Sequence, residues 1–304
     1  MTIAPEKIVV SVAMVTYNHE HYIREAIESV LSQEYEGKIE LIIANDQSTD
    51  NTEKIILEII HNHKNGSWIK YTNHPSNLGM KTNFNWALNQ GTGKYTAICE
   101  GDDYWTDPLK LQKQVQFLEN NPEYVFSFHS ADLNSTVENK FAYNFLSEDK
   151  DYSSNELFMK WIAPTASFVF LSSCMEYANK NLYALKVLNP DLILALSCLE
   201  LGKARGISEA MSVYRIHQQG ISQVRFKQNR INHLKNYINH YKYIGANFPK
   251  VSKKNINIKI VDTYSSIAQC YFKKKNILFL LYSVKCFRYR PELVLRGFKK
   301  IFKA

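Results

Sequence analysis

The chain has 304 residues, 45% hydrophobic and 13% aromatic, with a formal net charge of +8. That is enough apolar material for a full core, in one large domain or a domain with an appendage, and it excludes a disordered or fibrous chain. The charge is uneven: Arg225 to Ala304 carry 19 Lys or Arg against two acids, a net +17, while residues 1–224 hold 18 basic and 27 acidic residues, a net −9.

This asymmetry sets an expected boundary near residue 224, with a domain at 1–224 and a basic helical region at 225–304. The five cysteines, Cys99, Cys174, Cys198, Cys270 and Cys286, are scattered and never spaced Cys-x-x-Cys. They suggest neither a zinc site nor a disulfide framework, and buried free thiols in a reducing compartment are expected. Met1 to Lys7 carry no basic start and the apolar run Ile8 to Val15 lacks a small-residue cleavage pattern, so that run reads as a first strand and not as a secretory signal. The apolar run Ile277 to Val284 is far short of the roughly 20 residues a membrane-spanning helix needs.

Taken in order, the first strand ends in the polar turn Thr16-Tyr17-Asn18-His19. Ile23, Ala26, Ile27, Val30 and Leu31 recur at helical spacing and predict an amphipathic helix closing near Gln33. A second strand, Ile39 to Ala44, ends in Asn45-Asp46-Gln47-Ser48-Thr49-Asp50. Asp50 with Glu53 predicts a reciprocal cap on a helix through Ile60. Trp68 to Thr72 is a third strand, and Asn77-Leu78-Gly79 opens a helix to about Asn89. The fourth strand begins at Tyr95 and runs into Glu100-Gly101-Asp102-Asp103-Tyr104-Trp105.

Two adjacent carboxylates at a strand end repel one another unless something positive sits on them. A divalent cation such as Mg²⁺ or Mn²⁺, arriving on a substrate's phosphates, answers that need. A plain helix start is the competing account, but Asp107 before Pro108 can cap that helix alone. The pattern continues with a helix at Pro108 to Asn120, a strand at Tyr124 to His129 and a polar loop at 130–160 holding a short helix at Asn155 to Trp161. A strand at Thr165 to Leu171, a helix at Pro190 to Leu201 and a strand at Ala210 to Ile216 follow, with the Ser172 to Asn189 region left as variable loop.

Strands alternating with helices predict βαβ units and a mostly parallel sheet. Ligands bind beyond the carboxyl ends of such strands, and three of those ends carry Asn18, Asp46 and Asp102-Asp103. The absence of Gly-x-Gly-x-x-Gly after the first strand counts against a dinucleotide-binding dehydrogenase. The absence of Gly-x-x-x-x-Gly-Lys-Ser/Thr counts against a nucleoside-triphosphate loop.

Val12-Ala13-Met14-Val15-Thr16-Tyr17-Asn18, Asn45-Asp46-Gln47-Ser48-Thr49-Asp50, Asn77-Leu78-Gly79, Glu100-Gly101-Asp102-Asp103-Tyr104-Trp105 and Tyr214-Arg215-Ile216-His217 follow in that order. Together they resemble family-2 glycosyltransferases of the GT-A fold, of the bacterial type that builds surface polysaccharides such as lipopolysaccharide or capsule, over residues 8 to about 222. The resemblance implies that Thr16, Tyr17 and Asn18 cradle a nucleotide and that Asp46, otherwise a turn-former, accepts a hydrogen bond from a uracil ring. It assigns Asp102 to the ribose, Asp103 to an Mn²⁺ or Mg²⁺ ion, and the ion to the donor's diphosphate. His217 looks like the family's C-terminal histidine near metal or pyrophosphate, although a lone histidine is commonly a surface or core residue. Lys81 could steady phosphate or base, or lie on a solvated helix face. Asp191, where many relatives carry Glu-Asp, is the expected general base, and it is also placed as an N-cap. Trp105 and Thr165 are expected on the acceptor side.

The resemblance thus implies an inverting, metal-dependent hexosyl- or N-acetylhexosaminyl-transferase. Its donor would be a nucleotide sugar, most simply a UDP-sugar, and its acceptor a hydroxyl on a surface glycan or lipid-linked acceptor. An idle GT-A-like scaffold that binds polysaccharide-assembly machinery or membrane is the competing class. A sugar-phosphate nucleotidylyltransferase would want a glycine-rich basic loop in place of Thr16-Tyr17-Asn18-His19. The basic tail suits an anionic membrane surface, a helical bundle with a solvated rim, or nucleic acid. The expectation adopted is no nucleic acid, and a cytoplasmic protein peripheral on the inner face of the cytoplasmic membrane.

Overall fold

The computed structural model describes residues 9–135, 146–184, 186–218, 220 and 230–289. The chain divides into two compact units, Met1–Ser153 with Ile162–Tyr183 and Ser197–Ile216, and Ser154–Trp161 with Ala184–Leu196 and His217–Ala304. The boundary expected near residue 224 lies outside the described residues.

The first unit holds nine described strands: β1 (Val9–Thr16), β2 (Lys38–Asn45), β3 (Ile69–Asn73), β4 (Tyr95–Ile98), β5 (Tyr104–Trp105), β6 (Tyr124–Ser135), β7 (Lys150–Asp151), β8 (Val169–Leu171) and β9 (Lys203–Ile216). They join one sheet in the order β3-β2-β1-β4-β8-β6-β9-β5, with β7 beside β9. The β3-β2-β1-β4 part is parallel, as is β6 with β9, while β8 runs antiparallel to both β4 and β6. Strands β1, β2 and β4 are buried almost throughout, which is why they read as continuous apolar runs instead of alternating ones.

Helices α1 (Ile23–Leu31), α2 (Thr52–Asn62), α3 (Met80–Leu88) and α4 (Lys110–Asn120) flank this sheet. Ile23, Ala26, Ile27, Val30 and Leu31 of α1 bury the predicted face. They join Val10, Val12, Met14, Leu41, Ile43 and Ala97 of the strands and Leu111, Val115 and Leu118 of α4 in one core. At about 1.5–3 kcal/mol for each large apolar side chain, this burial dominates the stability of the unit.

Several local expectations are corrected. Glu53 does not reach back to Asp50; its carboxylate accepts from Tyr71 and Asn73 on β3, while Asp50 accepts from the Thr52 N–H two residues on. Strand β9 starts at Lys203, seven residues before the expected Ala210, because pairing with β6 overrides its charged residues. Register shifts in that pairing, at Tyr124, His129 and Ser130 of β6, explain why no clean alternation marks it. A further helix, α6 (Cys174–Leu182), occupies part of the expected Ser172 to Asn189 loop. All five cysteines are free, and only Cys270 is not fully buried.

The second unit is helical. It holds α5 (Ser154–Met159), the first turns of α7 (Pro190–Leu201), then α8 (Arg230–Asn247), α9 (Lys253–Lys273) and α10 (Leu278–Tyr289). Ser252 caps α9 by accepting from the Asn255 N–H, and Asn155 of α5 accepts from Ser252 and Asn255. Tyr264 and Tyr271 of α9 pack on Tyr282 of α10. No helix among the described residues is long and apolar enough to cross a membrane.

In the first unit, buried Glu40 accepts from Ser11 Oγ (2.5 Å), the Thr92 N–H (2.5 Å), Thr92 Oγ1 (3.0 Å) and Lys70. Burial raises its pKa, but the bonds from Lys70, Ser11 and Thr92 outweigh that and hold it at about 2. Because the folded value lies below the unfolded 4.5, this stabilisation is complete above that pH and is lost as pH falls toward 2. Glu40→Ala is therefore expected to cost about 1–3 kcal/mol in urea unfolding at neutral pH. The gap to the wild type should narrow at pH 3, and a constant gap would contradict this account.

Candidate active site

Because β2, β1 and β4 are parallel neighbours, the loops leaving their carboxyl ends meet at one edge. At the end of β1 Thr16 is buried, and beyond it Tyr17 is 46% exposed and Asn18 takes a left-handed φ of 56°. The Asn18 N–H donates to Ser48 Oγ (2.9 Å) and its Oδ1 accepts from the Thr49 N–H (2.8 Å). Gln47, after β2, is also left-handed at 60°. Non-glycine residues rarely sit there, so the two loops are held in conformations that their mutual bonds enforce.

Asp46 is 3% exposed. Its Oδ1 accepts from the Leu78 N–H (2.6 Å) and its Oδ2 from the Gly79 N–H (3.0 Å), while its own carbonyl accepts from Asn77 Nδ2. The acid thus clamps the loop that enters α3, and Gly79 closes that loop at φ 80°, ψ 150°, a conformation few other residues reach. Lys81 lies in the first turn of α3, where burial lowers its ammonium pKa.

The acidic turn prolongs β4. The Cys99 N–H donates to Ala13 and the Gly101 N–H to Val15, so the turn stays zipped to β1. A side chain at Gly101 would meet Thr16 at 2.9 Å and His19 Nδ1 at 3.1 Å, and glycine is what lets these three come together.

The two acids then diverge. Asp102 is half-buried, with Oδ2 3.8 Å from His19 Nε2. Asp103 is 1% exposed; its Oδ1 accepts from the Arg215 N–H of β9 (2.8 Å), and its Oδ2 has no partner among the described residues. Burial, then the neighbouring Asp102 charge, push the Asp103 carboxyl well above the usual range, and the bond and charge of Arg215 only partly oppose this. Arg215 also donates from Nη1 to the Asp102 carbonyl (3.0 Å), pairs with Glu25 of α1 and lies 4.2 Å over the Tyr104 ring.

His19, Arg215 and Glu25 were not singled out by their own chemistry in the sequence. His19 was legible in principle, since it follows Asn18 in the same strand-end turn. Glu25 carried no signal, because nothing local distinguishes it from any other first-turn acid. His217 is buried and directly follows Ile216, the last residue of β9.

The acceptor-side expectation for Trp105 is corrected: it is 4% exposed, its indole N–H donates to the Ala166 carbonyl (2.7 Å) and Lys110 Nζ lies 4.1 Å from its ring. A large apolar ring on a strand paired to β9 is worth more in the core than at an open edge. Thr165 opens the short turn Thr165–Ser167 and is half-buried. Asp191 lies half-buried in the first turn of α7, in the second unit, behind Pro190 at the first helical position.

Residues 11–176 match the family model of Glycosyl transferase family 2. The chain belongs to that family. It is 34% identical over 214 residues to an uncharacterized protein of Mycobacterium tuberculosis, a match that takes 69% of this chain and 60% of the mycobacterial one. It is 31% identical over 220 residues, 72% of this chain and 82% of the other, to the Escherichia coli UDP-Glc:alpha-D-GlcNAc-diphosphoundecaprenol beta-1,3-glucosyltransferase WfaP. Staphylococcus aureus TarS 1-349 in complex with UDP has a similar fold, with a TM-score of 0.60 at 16% identity over 96% of this chain and 92% of that one. So does a mannosyltransferase of Pyrobaculum calidifontis in complex with GDP-Man and Mn²⁺, with a TM-score of 0.58 at 16% identity over 99% and 90%. The fold is GT-A, as the sequence motifs implied.

The differing surroundings of the paired acids predict differing costs of removal. Asp103→Ala leaves the buried Arg215 N–H without its acceptor and should lose about 1–3 kcal/mol in equilibrium urea unfolding. Asp102→Ala, at a half-exposed carboxylate, should lose less than about 1 kcal/mol. Equal losses would show that the two acids share one environment.

Proposed function

We propose that this chain is an inverting glycosyltransferase that moves a hexose or N-acetylhexosamine from a UDP-sugar to a hydroxyl of a lipid-linked or surface-glycan acceptor. Family membership supports the reaction class. The UDP donor and lipid-linked acceptor are carried over from the Escherichia coli relative, whose name specifies both. The observation that carries the reading is the Asp102 carboxylate set 3.8 Å from the His19 imidazole at the edge where nucleotides bind in such sheets.

We assign Asp102 and His19 to a divalent cation, and His217 keeps, as a proposal, the role near metal or pyrophosphate that the resemblance gave it. The ion is proposed as Mn²⁺ or Mg²⁺, both of which suit carboxylate and water oxygens. When bound, such an ion neutralises the charge that grows on a departing nucleoside diphosphate. This proposal moves to Asp102 the metal role that the resemblance gave Asp103. Asp103, turned into β9, holds Arg215 and the acidic turn in place, and Asp102 is the carboxylate left on display.

Thr16, Tyr17 and Asn18 are proposed to line the nucleotide, with Tyr17 offering an exposed ring on which a base can stack. Asp46 has both carboxylate oxygens on backbone N–H groups, yet each oxygen keeps a second lone pair for a uracil N–H. Lys81, at the start of α3, is proposed to face phosphate or base. Asp191 is proposed as the general base that takes the acceptor hydroxyl's proton, and a single displacement assisted by one base inverts the anomeric centre. Thr165 is kept on the acceptor side.

Calorimetry with UDP, with and without Mn²⁺, tests the assignment. Asp102→Ala should abolish the metal-dependent gain in affinity, whereas wild-type binding indifferent to Mn²⁺ would remove the proposed cation site. For the base, Asp191→Asn should reduce sugar transfer by about 10²–10⁴-fold while UDP affinity stays within twofold or so of wild type. Undiminished transfer would place the base elsewhere.

A further inference from the structure

Helix α10 is apolar on two opposite sides. One side is accounted for: Tyr282 and Cys286 are buried, Tyr282 stacks on Tyr271 of α9 at 5.5 Å, and the Cys286 thiol donates to the Val261 carbonyl at 3.8 Å. On the other side Ile277, just ahead of the helix, and Leu280, Leu281 and Val284 are 76%, 50%, 48% and 63% exposed. At 3.6 residues per turn these four fall on a single stripe about 100° wide. A stripe of that width on a soluble helix normally faces a core.

The charge around the stripe says what it fits. Arg288 falls within it and Lys285 at its edge, where Lys285 lies over the Tyr264 and Tyr282 rings. Lys273-Lys274-Lys275 lead into the helix, and exposed Lys274 and Lys275 form the turn before it. Between Arg230 and Tyr289 there are twelve Lys or Arg and one acid, Asp262. Two copies meeting through this stripe would bring like charges together, which disfavours a self-interface. An anionic bilayer satisfies both parts, with acyl chains for the apolar stripe and headgroups for the flanking cations.

We propose that the Ile277–Leu280–Leu281–Val284 stripe of α10, flanked by Lys273–Lys275, Lys285 and Arg288, docks the protein on an anionic lipid surface. The helix lies in the interface plane and does not cross it. This docking is independent of catalysis and would hold for an inactive chain.

Flotation of the full chain with vesicles tests it without an activity readout. The wild type should float with vesicles of phosphatidylglycerol in phosphatidylcholine, and bind pure phosphatidylcholine about tenfold or more weakly. The double substitution Leu281→Ser with Val284→Ser should weaken binding to the anionic vesicles by about tenfold without lowering the melting temperature, because both side chains are exposed. Lys274→Gln with Lys275→Gln should weaken it too, and the wild-type binding should fall with added salt. Serine variants that float as well as the wild type would overturn the proposal. So would serine variants that melt earlier with unchanged flotation, since another part of the chain would then cover the stripe. A concentration-dependent wild-type dimer that the serine substitutions disperse would overturn it in favour of a second copy.

Discussion

Two carboxylates on adjacent residues cannot both be buried as anions, and they repel when both are displayed. This protein resolves the conflict by separating them at the end of β4. Asp103 goes inward, where the Arg215 N–H of β9 meets one of its oxygens, and Asp102 stays at the edge beside His19. The separation needs β9 to arrive alongside, and β5, the two-residue strand directly after the acids, makes that happen by pairing Tyr104 and Trp105 with Val213 and Ser212. Arg215 then ties the turn further, through the Asp102 carbonyl, Glu25 and the Tyr104 ring. A residue 112 positions away in sequence therefore fixes which of two neighbouring acids is presented.

The same edge is rigid for a second reason. Asn18 and Gln47 both sit at left-handed φ, and Gly79 reaches a conformation nearly closed to other residues. Such positions cost of order 1–3 kcal/mol each for a residue with a side chain and persist only when neighbours enforce them. Here the enforcing bonds run between loops: Asn18 to Ser48 and Thr49, and Asp46 to Leu78 and Gly79. The loops after β1 and β2 and before α3 form one hydrogen-bonded block. A nucleotide held by that block would meet a surface already ordered, which reduces the entropy lost on binding.

The parts of this design that rest on local pattern were legible in the sequence. The core strands announced themselves as apolar runs, α1 by the spacing of Ile23, Ala26, Ile27, Val30 and Leu31, and the polar edge by strand-end Asn18, Asp46 and Asp102-Asp103. What escaped was decided by partners far along the chain. Glu53 is a good reciprocal cap in isolation, yet Tyr71 and Asn73 on β3 give its carboxylate a better hydrogen-bonded place. The early part of β9 carries Lys203, Arg205 and Glu209, which mask a strand that exists because β6 offers it a ladder. Trp105 looked like an edge ring because it follows the acids, but pairing with β9 turns its indole to Ala166. Which of the two acids turns toward β9 was beyond local reading for the same reason, since Arg215 meets Asp103 from 112 positions along the chain.

The uneven charge of the chain bears on how a diphosphate could be held at this edge. Residues 1–224 carry a net −9, and the guanidinium closest to the acidic turn, that of Arg215, is already engaged by Glu25 and the Asp102 carbonyl. A diphosphate approaching Asp102 would add negative charge beside an existing carboxylate. Coulomb repulsion between unit charges 4 Å apart is about 4 kcal/mol at the effective dielectric of a protein surface, so an anionic ligand and the Asp102 carboxylate would oppose one another. The sign of the local field is thus itself a reason to assign Asp102, with its neighbouring imidazole, to a cation. Asp103, which the fold buries, instead has one carboxylate oxygen held on the Arg215 backbone N–H.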